Sequence, residues 1–464
     1  MKYKAAYLLL LFFTFFSPKI SAQSISDKLQ SAIKSLATDS QLKHGLVSFY
    51  VIDADSGNKV FAFNEEIGLA PASCQKIITA ASGYELLDKN HPFITKIELT
   101  ALNDLIITGD GDPTFGSWRW PETKPEVILT KIVAAVKLKG LRSIGKIWIN
   151  DIATGYQPIP DGWIWQDIGN YYGAGSYGLN WRENQYDLFL NTKEPGSNAV
   201  INKINPDYIK PMILNLIKAG EKGSGDNGYI YSAPYQDRIF ATGTVPPFTN
   251  GFSISGSMPD PGKFFGMELK TALQEEGISC KEVVTFSEAT RKNLLRPKAA
   301  STLISIASAP LQDIESWFLK KSINLYGEAI VKKIALLKNA ADDFTDNGTK
   351  EIVSLWKSKG IDVSAMNIID GSGLSPANRV TTKLLVDILS FVQKQPYAND
   401  FFDALPQSNG IRMKDGYINA VRSYSGYING KSNRYIFSII TNNFTGSAAE
   451  MRVKMWKVLD LLKN

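Results

Sequence analysis

The chain has 464 residues, with 51 Lys and Arg against 45 Asp and Glu, for a formal net charge of +6. Lys2, Lys4 and Lys19 supply three of those positive charges, so the rest is close to balanced and lacks the clustered basic residues that nucleic-acid binding demands. Only two histidines (His44, His91) and two cysteines (Cys74, Cys280) are present; the histidines are too far apart for an H-E-x-x-H zinc site, and the cysteines allow one disulfide at most. The cysteines read as small buried side chains, and a hydrolase built from this inventory is expected to take its base from a residue other than histidine.

In chain order, Lys2 and Lys4 precede an apolar run, Ala5 to Phe16, that ends before Pro18 and the small pair Ser21-Ala22. This is the pattern of a signal peptide over 1–22, and the run is shorter than the roughly 20 residues that span a bilayer. The remainder is expected to be exported, periplasmic or in the cell envelope, and soluble after cleavage. It is too long for one simple core, which predicts two or more domains.

Gly45 to Asp53, the turn Ala54 to Asn58 and the return Val60 to Phe63 predict a hairpin. Pro71-Ala72-Ser73 then opens a helix whose Ile77, Ile78, Ala81, Tyr84 and Leu87 recur at helical spacing, predicting burial of one face. From Phe93 the texture changes to short strands, Gly/Pro turns and a band of aromatics that includes Trp118, Trp120, Trp163, Trp165 and Trp181. The segment 93–289 reads as an inserted, mostly β region. Helical texture returns over Leu303 to Leu337. The end of the chain predicts a hairpin, Tyr424 to Ile428 and Tyr435 to Thr441, then a helix with Met451, Met455, Val458 and Leu459 on one face. Two motifs are set aside. The glycines from Gly426 to the Gly-Lys-Ser at Ser432 are one residue too close for a P-loop, and Gly371-Ser372-Gly373 lacks the spacing of a nucleophile elbow.

Ser73-Cys74-Gln75-Lys76 is S-x-x-K at a helix start, and residues three apart share a helix face, so the amine can reach the hydroxyl. A free Lys titrates near about 10.4. Burial and nearby positive charge disfavour its ammonium form and turn it into a base, while free N–H groups at a helix start can hold an oxyanion. Alone the motif is common. Here it is followed by Ser322-Ile323-Asn324 and by Lys414-Asp415-Gly416. The order S-x-x-K, S-x-N, K-x-G resembles the penicillin-binding proteins and serine β-lactamases. Pro71-Ala72-Ser73, Gly109 to Thr114, Trp163 to Asp167 and Asp370 to Ser375 narrow the resemblance to the low-molecular-mass class C penicillin-binding proteins, D-alanyl-D-alanine carboxypeptidases and endopeptidases of peptidoglycan.

That resemblance implies an α/β fold of the penicillin-binding-protein and β-lactamase type. An antiparallel sheet flanked by helices would be formed by 23–92 and 290–464, interrupted by the inserted region. It implies Ser73 as nucleophile, Lys76 as base, Ser322 as proton relay, Asn324 holding Lys76 and the substrate amide, and Lys414 adding positive field. Backbone N–H groups of Ser73 and Tyr417 would form the oxyanion hole beside Gly416, and Asp167 would contact the diamino-acid side chain of a stem peptide. No metal or organic cofactor is expected. The implied partners are peptidoglycan stem peptides, with β-lactams as covalent inhibitors, and no nucleic acid.

Three positions depart from the family. Asp415 replaces a Thr or Ser whose hydroxyl binds the substrate carboxylate, Tyr417 replaces a small hydroxyl residue, and Pro376 stands where Arg is frequent. An ionised Asp415 is expected to repel a carboxylate by on the order of 1–4 kcal/mol and to neutralise part of Lys414. Three readings stay open: a peptidase with an altered pocket that takes cross-linked or amidated stems, an ordinary carboxypeptidase with Asp415 protonated or turned away, and a catalytically weak or inactive peptidoglycan-binding relative. A serine β-lactamase is disfavoured by the long insertion and by the lack of an obvious deacylation carboxylate.

Overall fold

The computed structural model describes residues 24–463, so the expected signal peptide, 1–22, lies outside the described residues. Among those residues no helix is long and apolar enough to cross a membrane. The larger unit is centred on a six-stranded antiparallel sheet. Its order is Gln407–Ser408, Ile411–Ile418, Val421–Asn429, Arg434–Asn442, Leu46–Asp53 and Lys59–Phe63. The strand Leu46–Asp53 explains why helices cover both faces. Val47, Phe49 and Val51 enter one core with Leu29, Ile33, Met451 and Met455. Tyr50 and Ile52 enter the other with Ile77, Ile78, Leu385 and Ile388. Apolar residues at both phases of a two-residue period give a strand buried on both sides. The terminal helix Ala448–Asp460 packs beside Ile25–Ala37 on the first face, and the Gly426 to Ser432 stretch belongs to a hairpin and its turn.

The helix Lys76–Leu87 corrects the expectation of one-sided burial. Every residue except Glu85 and Leu86 is buried, because the sheet and the helices Leu311–Lys321, Asn324–Leu337 and Thr382–Val392 enclose it. Its polar side chains find partners inside: Thr79 Oγ1 donates to Gly371 O at 2.6 Å and Ser82 Oγ to Ile78 O at 2.7 Å. A buried hydroxyl that is hydrogen-bonded escapes most of the desolvation cost that keeps polar residues on the surface.

The chain enters the inserted region at Phe93 and leaves it at Ser308. These two residues meet through reciprocal bonds, Phe93 N–H to Ser308 Oγ and Ser308 N–H to Phe93 O, both 2.9 Å. The inserted sheet therefore runs past the end expected at 289. Its last strand, Ser301–Ala307, pairs antiparallel with Ile94–Leu99 and takes up Leu303, the expected start of a helical stretch. Thr302, Ile304 and Ile306 suit a pleated surface, and their pairing partner lies some 200 residues earlier in the chain, where local texture gives no sign of it. This five-stranded mixed sheet is Ser279–Thr285, Ser143–Asn150, Leu105–Gly109, Ile94–Leu99 and Ser301–Ala307. The helices Pro125–Leu138 and Pro261–Glu275 cover it around Ile107, Ile132, Ile149 and Phe265. Beyond it, a three-stranded and a four-stranded sheet share a core of Leu188, Ile230, Ala241 and Ile254.

Candidate active site

Ser73 sits in a short 3-10 turn, Ala72–Gln75, that leads directly into the helix Lys76–Leu87. The turn is forced into a narrow slot. Ala72 takes a left-handed φ of 46°, which costs an L residue roughly 1–2 kcal/mol. The strand Ile411–Ile418 clamps it from one side: Cys74 Sγ donates to Lys414 O at 3.2 Å and Ser423 Oγ, on the neighbouring strand, to Pro71 O at 2.6 Å. Gly416 is what permits this approach, because a Cβ there would lie 2.8 Å from Ser73 N and 2.7 Å from Pro71 O. The peptide between Gly416 and Tyr417 thus runs beside the Ser73 amide. From the other side comes Gly373, with φ of 80° and no room for a Cβ, which would stand 1.9 Å from Ala72 O.

Lys76 is fully buried, and its amine is aimed. Nζ donates to Ser73 Oγ at 2.9 Å, to Asn324 Oδ1 at 2.6 Å and to Ser372 O at 2.7 Å. Burial, followed by the repulsion of Lys414, pushes its pKa down to about 7, against the opposing pull of Asp370, Glu328 and Asp415. An amine with that pKa and a hydroxyl at hydrogen-bond distance can take a proton near neutrality.

The loop Asp370 to Ser375 aims the Ser372 carbonyl. Asp370 is fully buried and accepts from Gly373 N–H at 2.8 Å, Ser375 N–H at 2.7 Å, Asn378 Nδ2 at 2.9 Å, Trp163 Nε1 at 2.9 Å and the Gln75 amide. Glu328 accepts from Gly371 N–H, 3.0 Å from Oε2. Burial and then the neighbouring Asp370 carboxylate hold Glu328 well above the usual carboxylate range. The sequence flagged Asp370 to Ser375 only as a family match; the five-donor geometry gives its physical role.

The S-x-N residues straddle a junction. Ser322 ends the helix Leu311–Lys321 in a left-handed conformation, φ 56°, and Asn324 begins the helix Asn324–Leu337. Asn324 spans two units: Oδ1 receives Lys76 and Nδ2 donates to Tyr172 O, in the inserted region, at 2.7 Å. Ser73, Ser322, Asn324, Tyr417 and Asp167 line one cleft of about 690 Å3, together with Ile164, Tyr171, Tyr172 and Tyr229. Asp167, in the short helix Trp165–Ile168, has its pKa raised by burial, with a hydrogen bond from Tyr172 opposing the shift. Pro376, the third departure, lies on the same wall.

Lys414 and Asp415 pair with each other. Lys414 Nζ, almost wholly buried, donates to Asp415 O at 2.7 Å and to Asp415 Oδ1 at 3.1 Å. Burial alone would raise the Asp415 pKa, but Lys414 and Arg422 outweigh it and hold the carboxyl below its usual range. The direction of this shift favours an ionised Asp415 at neutral pH. Cys74 and Cys280 are both free and buried. Among the described residues no group of three or more His, Cys, Asp or Glu could hold a metal ion.

A serine in a 3-10 turn, a lysine at the start of the helix that follows, a second serine and an asparagine beside them, and a lysine on the flanking antiparallel strand form the arrangement expected of a penicillin-recognising serine hydrolase of low molecular mass. The D-Ala-D-Ala carboxypeptidase 3 (S13) family model matches residues 29–461, and the chain belongs to that family. Among similar proteins, the D-alanyl-D-alanine carboxypeptidase of Actinomadura sp. is 23% identical over 456 residues, 91% of this chain and 82% of that one. The D-alanyl-D-alanine carboxypeptidase DacB of Haemophilus influenzae is 22% identical over 90% of each chain. The crystal structure of penicillin binding protein 4 from Haemophilus influenzae shares the fold, with a TM-score of 0.77 at 18% identity, covering 93% of this chain and 99% of that one.

Proposed function

We propose that this enzyme cleaves the D-alanyl-D-alanine ends or cross-links of peptidoglycan stem peptides through an acyl-enzyme on Ser73, in the periplasm or cell envelope. The observation that carries this reading is the Lys76 amine, 2.9 Å from Ser73 Oγ with a pKa lowered to about 7. Ser73 Oγ attacks the D-alanine carbonyl while its proton passes to Lys76 Nζ. The oxyanion is received by the backbone N–H groups of Ser73 and Tyr417, whose close approach Gly416 allows. Ser322 relays a proton to the departing amine, so the peptide C–N bond breaks and an ester to Ser73 remains. Water, deprotonated by the same lysine, then hydrolyses the ester. Asn324 keeps Lys76 oriented and faces the substrate amide, and Asp167 receives the side chain of the diamino acid. Asp415 makes the carboxylate pocket unusual: an ionised oxygen stands where a donor is expected, and Lys414 spends two contacts on it. Stems whose carboxylate is amidated or displaced therefore suit the site better than free carboxylates.

The test is labelling with a fluorescent penicillin, followed by mass spectrometry of the labelled peptide. A single adduct on Ser73, lost in Ser73→Ala and kept in Cys74→Ser, is expected. An adduct on another residue, or release of D-alanine by Ser73→Ala, overturns the assignment.

A further inference from the structure

Three successive residues of the inserted region, Arg182, Glu183 and Asn184, take left-handed conformations with φ of 54°, 52° and 51°. Side-chain-bearing L residues rarely do so even singly, and such strain persists only where the surroundings over-determine it. Here each side chain is held. Arg182 pairs with Glu268 at 2.8 Å, and Asn184 Nδ2 donates to Gly175 O at 2.8 Å. Glu183, 5% exposed, reaches out of the inserted region. Its Oε1 accepts from Tyr326 Oη at 2.8 Å, from Ser117 Oγ at 2.7 Å and from Arg119 Nε at 3.0 Å. Tyr326 is fully buried, and its oxygen also accepts from Trp120 Nε1 at 3.0 Å. It stands in the first turn of the helix Asn324–Leu337, two residues after Asn324.

We propose that Glu183 is a positioning residue for the S-x-N turn: acting through Tyr326, it fixes the first turn of this helix so that Asn324 Oδ1 meets Lys76. The other constraint on the same amide, Tyr172 O, also comes from the inserted region. Beside the Lys76 contact itself, Asn324 is thus steadied by two residues of the insertion, Tyr172 directly and Glu183 through Tyr326, which makes the insertion part of the proton-transfer apparatus. The proposal rests on acylation of Ser73 as read above.

The rate of acylation by a fluorescent penicillin, followed across the titration of Lys76, separates positioning from folding. Lys414, Asp370, Glu328 and Asp415 are the charged groups that bear on Lys76, and the variants leave them unchanged. In Tyr326→Phe and Glu183→Ala the final labelling is expected to stay stoichiometric while the plateau rate falls about ten-fold. The midpoint of the acidic limb moves to lower pH, because a displaced Asn324 Oδ1 no longer favours the Lys76 ammonium. Glu183→Gln keeps an oxygen for Tyr326 and is expected to recover most of the rate. A lower folded fraction alone would scale the profile without moving its midpoint. An unmoved midpoint with a near-normal rate in Tyr326→Phe overturns the proposal, as does Glu183→Gln behaving no better than Glu183→Ala. If Glu183→Ala does not fold, the isosteric Tyr326→Phe decides. Failure of the unmodified enzyme to acylate would instead overturn the function on which the proposal stands.

Discussion

Asp415 and Lys76 are the residues at which this chain departs from and keeps to its family, and the two are electrostatically linked. Lys414 and Arg422 hold Asp415 ionised below the usual carboxylate range, whereas Lys76 becomes a competent base only above about 7. Acidification that would discharge Asp415 therefore also protonates Lys76, so no pH gives a neutral Asp415 and an unprotonated Lys76 together. Substitution is the informative route. Asp415→Thr is expected to raise the penicillin acylation rate at neutral pH by about ten-fold if roughly 1.4 kcal/mol of repulsion is relieved, and Asp415→Asn should give part of that gain. A substrate amidated at the equivalent carboxylate should respond little. Equal acylation rates for the natural enzyme and Asp415→Thr would show that Asp415 does not face the carboxylate.

At the scale of elements, the loop Asp370 to Ser375 works as a wedge between the Ser73 turn and the helix Asn324–Leu337. Gly373 fits against Ala72 O, and a Cβ at Gly371 would lie 2.4 Å from Gly327 O. Gly373→Ala adds a left-handed strain and a clash with backbone, and is expected to cost about 2 kcal/mol or more of stability. It should also slow acylation, because the loop that carries Ser372 O away from Ala72 takes it from Lys76 Nζ. Gly57→Ala is the control: its φ is 73°, but nothing lies within 4 Å of the added Cβ, so only the strain of roughly 1 kcal/mol applies. Denaturant melts of both variants, read beside their acylation rates, test this. Similar losses in the two would show that the close approach at Gly373 is not limiting. The helix Asn324–Leu337 carries two more anchors across the boundary. Lys332 Nζ donates to Gln157 O and Ser176 O, each at 2.8 Å, and Lys333 pairs with Asp110.

Across the whole molecule, burial of acids sets a pH dependence of stability. Burial pushes Asp112 and Asp260 up to about 7, and Glu328 upward as well. Each keeps a proton in the folded state that the unfolded chain releases near pH 4. Stability contributed by these groups is full at low pH and is lost as pH rises from the unfolded values toward about 7. The slope is up to about 1.4 kcal/mol per pH unit for each such proton. Lys76 and Lys332, both lowered to about 7, stay protonated in both states below that point and so do not oppose the trend there. Melting temperature is therefore expected to fall between about pH 5 and pH 7. A flat or rising profile over that window would show that these carboxyls are ionised in the folded protein.

The sequence by itself determined the motif residues, their order and the family they resemble, because S-x-x-K follows from helix geometry and needs only local chain. The hairpins read at 45–63 and 424–441 were equally legible, since alternation and turn residues are local signals, and the second pairs over the longer span Val421 to Asn442. Three things depended on tertiary structure. The strand Ser301–Ala307 found its partner across the whole insertion, so the region closed at Ser308 and not at 289. The state of Asp415 followed from the position of Lys414 and Arg422 in the folded sheet, since a pKa is fixed by burial and by charges that sequence spacing does not locate. Glu183 and Tyr172 carry no motif of their own and meet Tyr326 and Asn324 only through folding, and Asp370, legible only as part of a family match, gathers its donors around the Ser372 loop only in the fold.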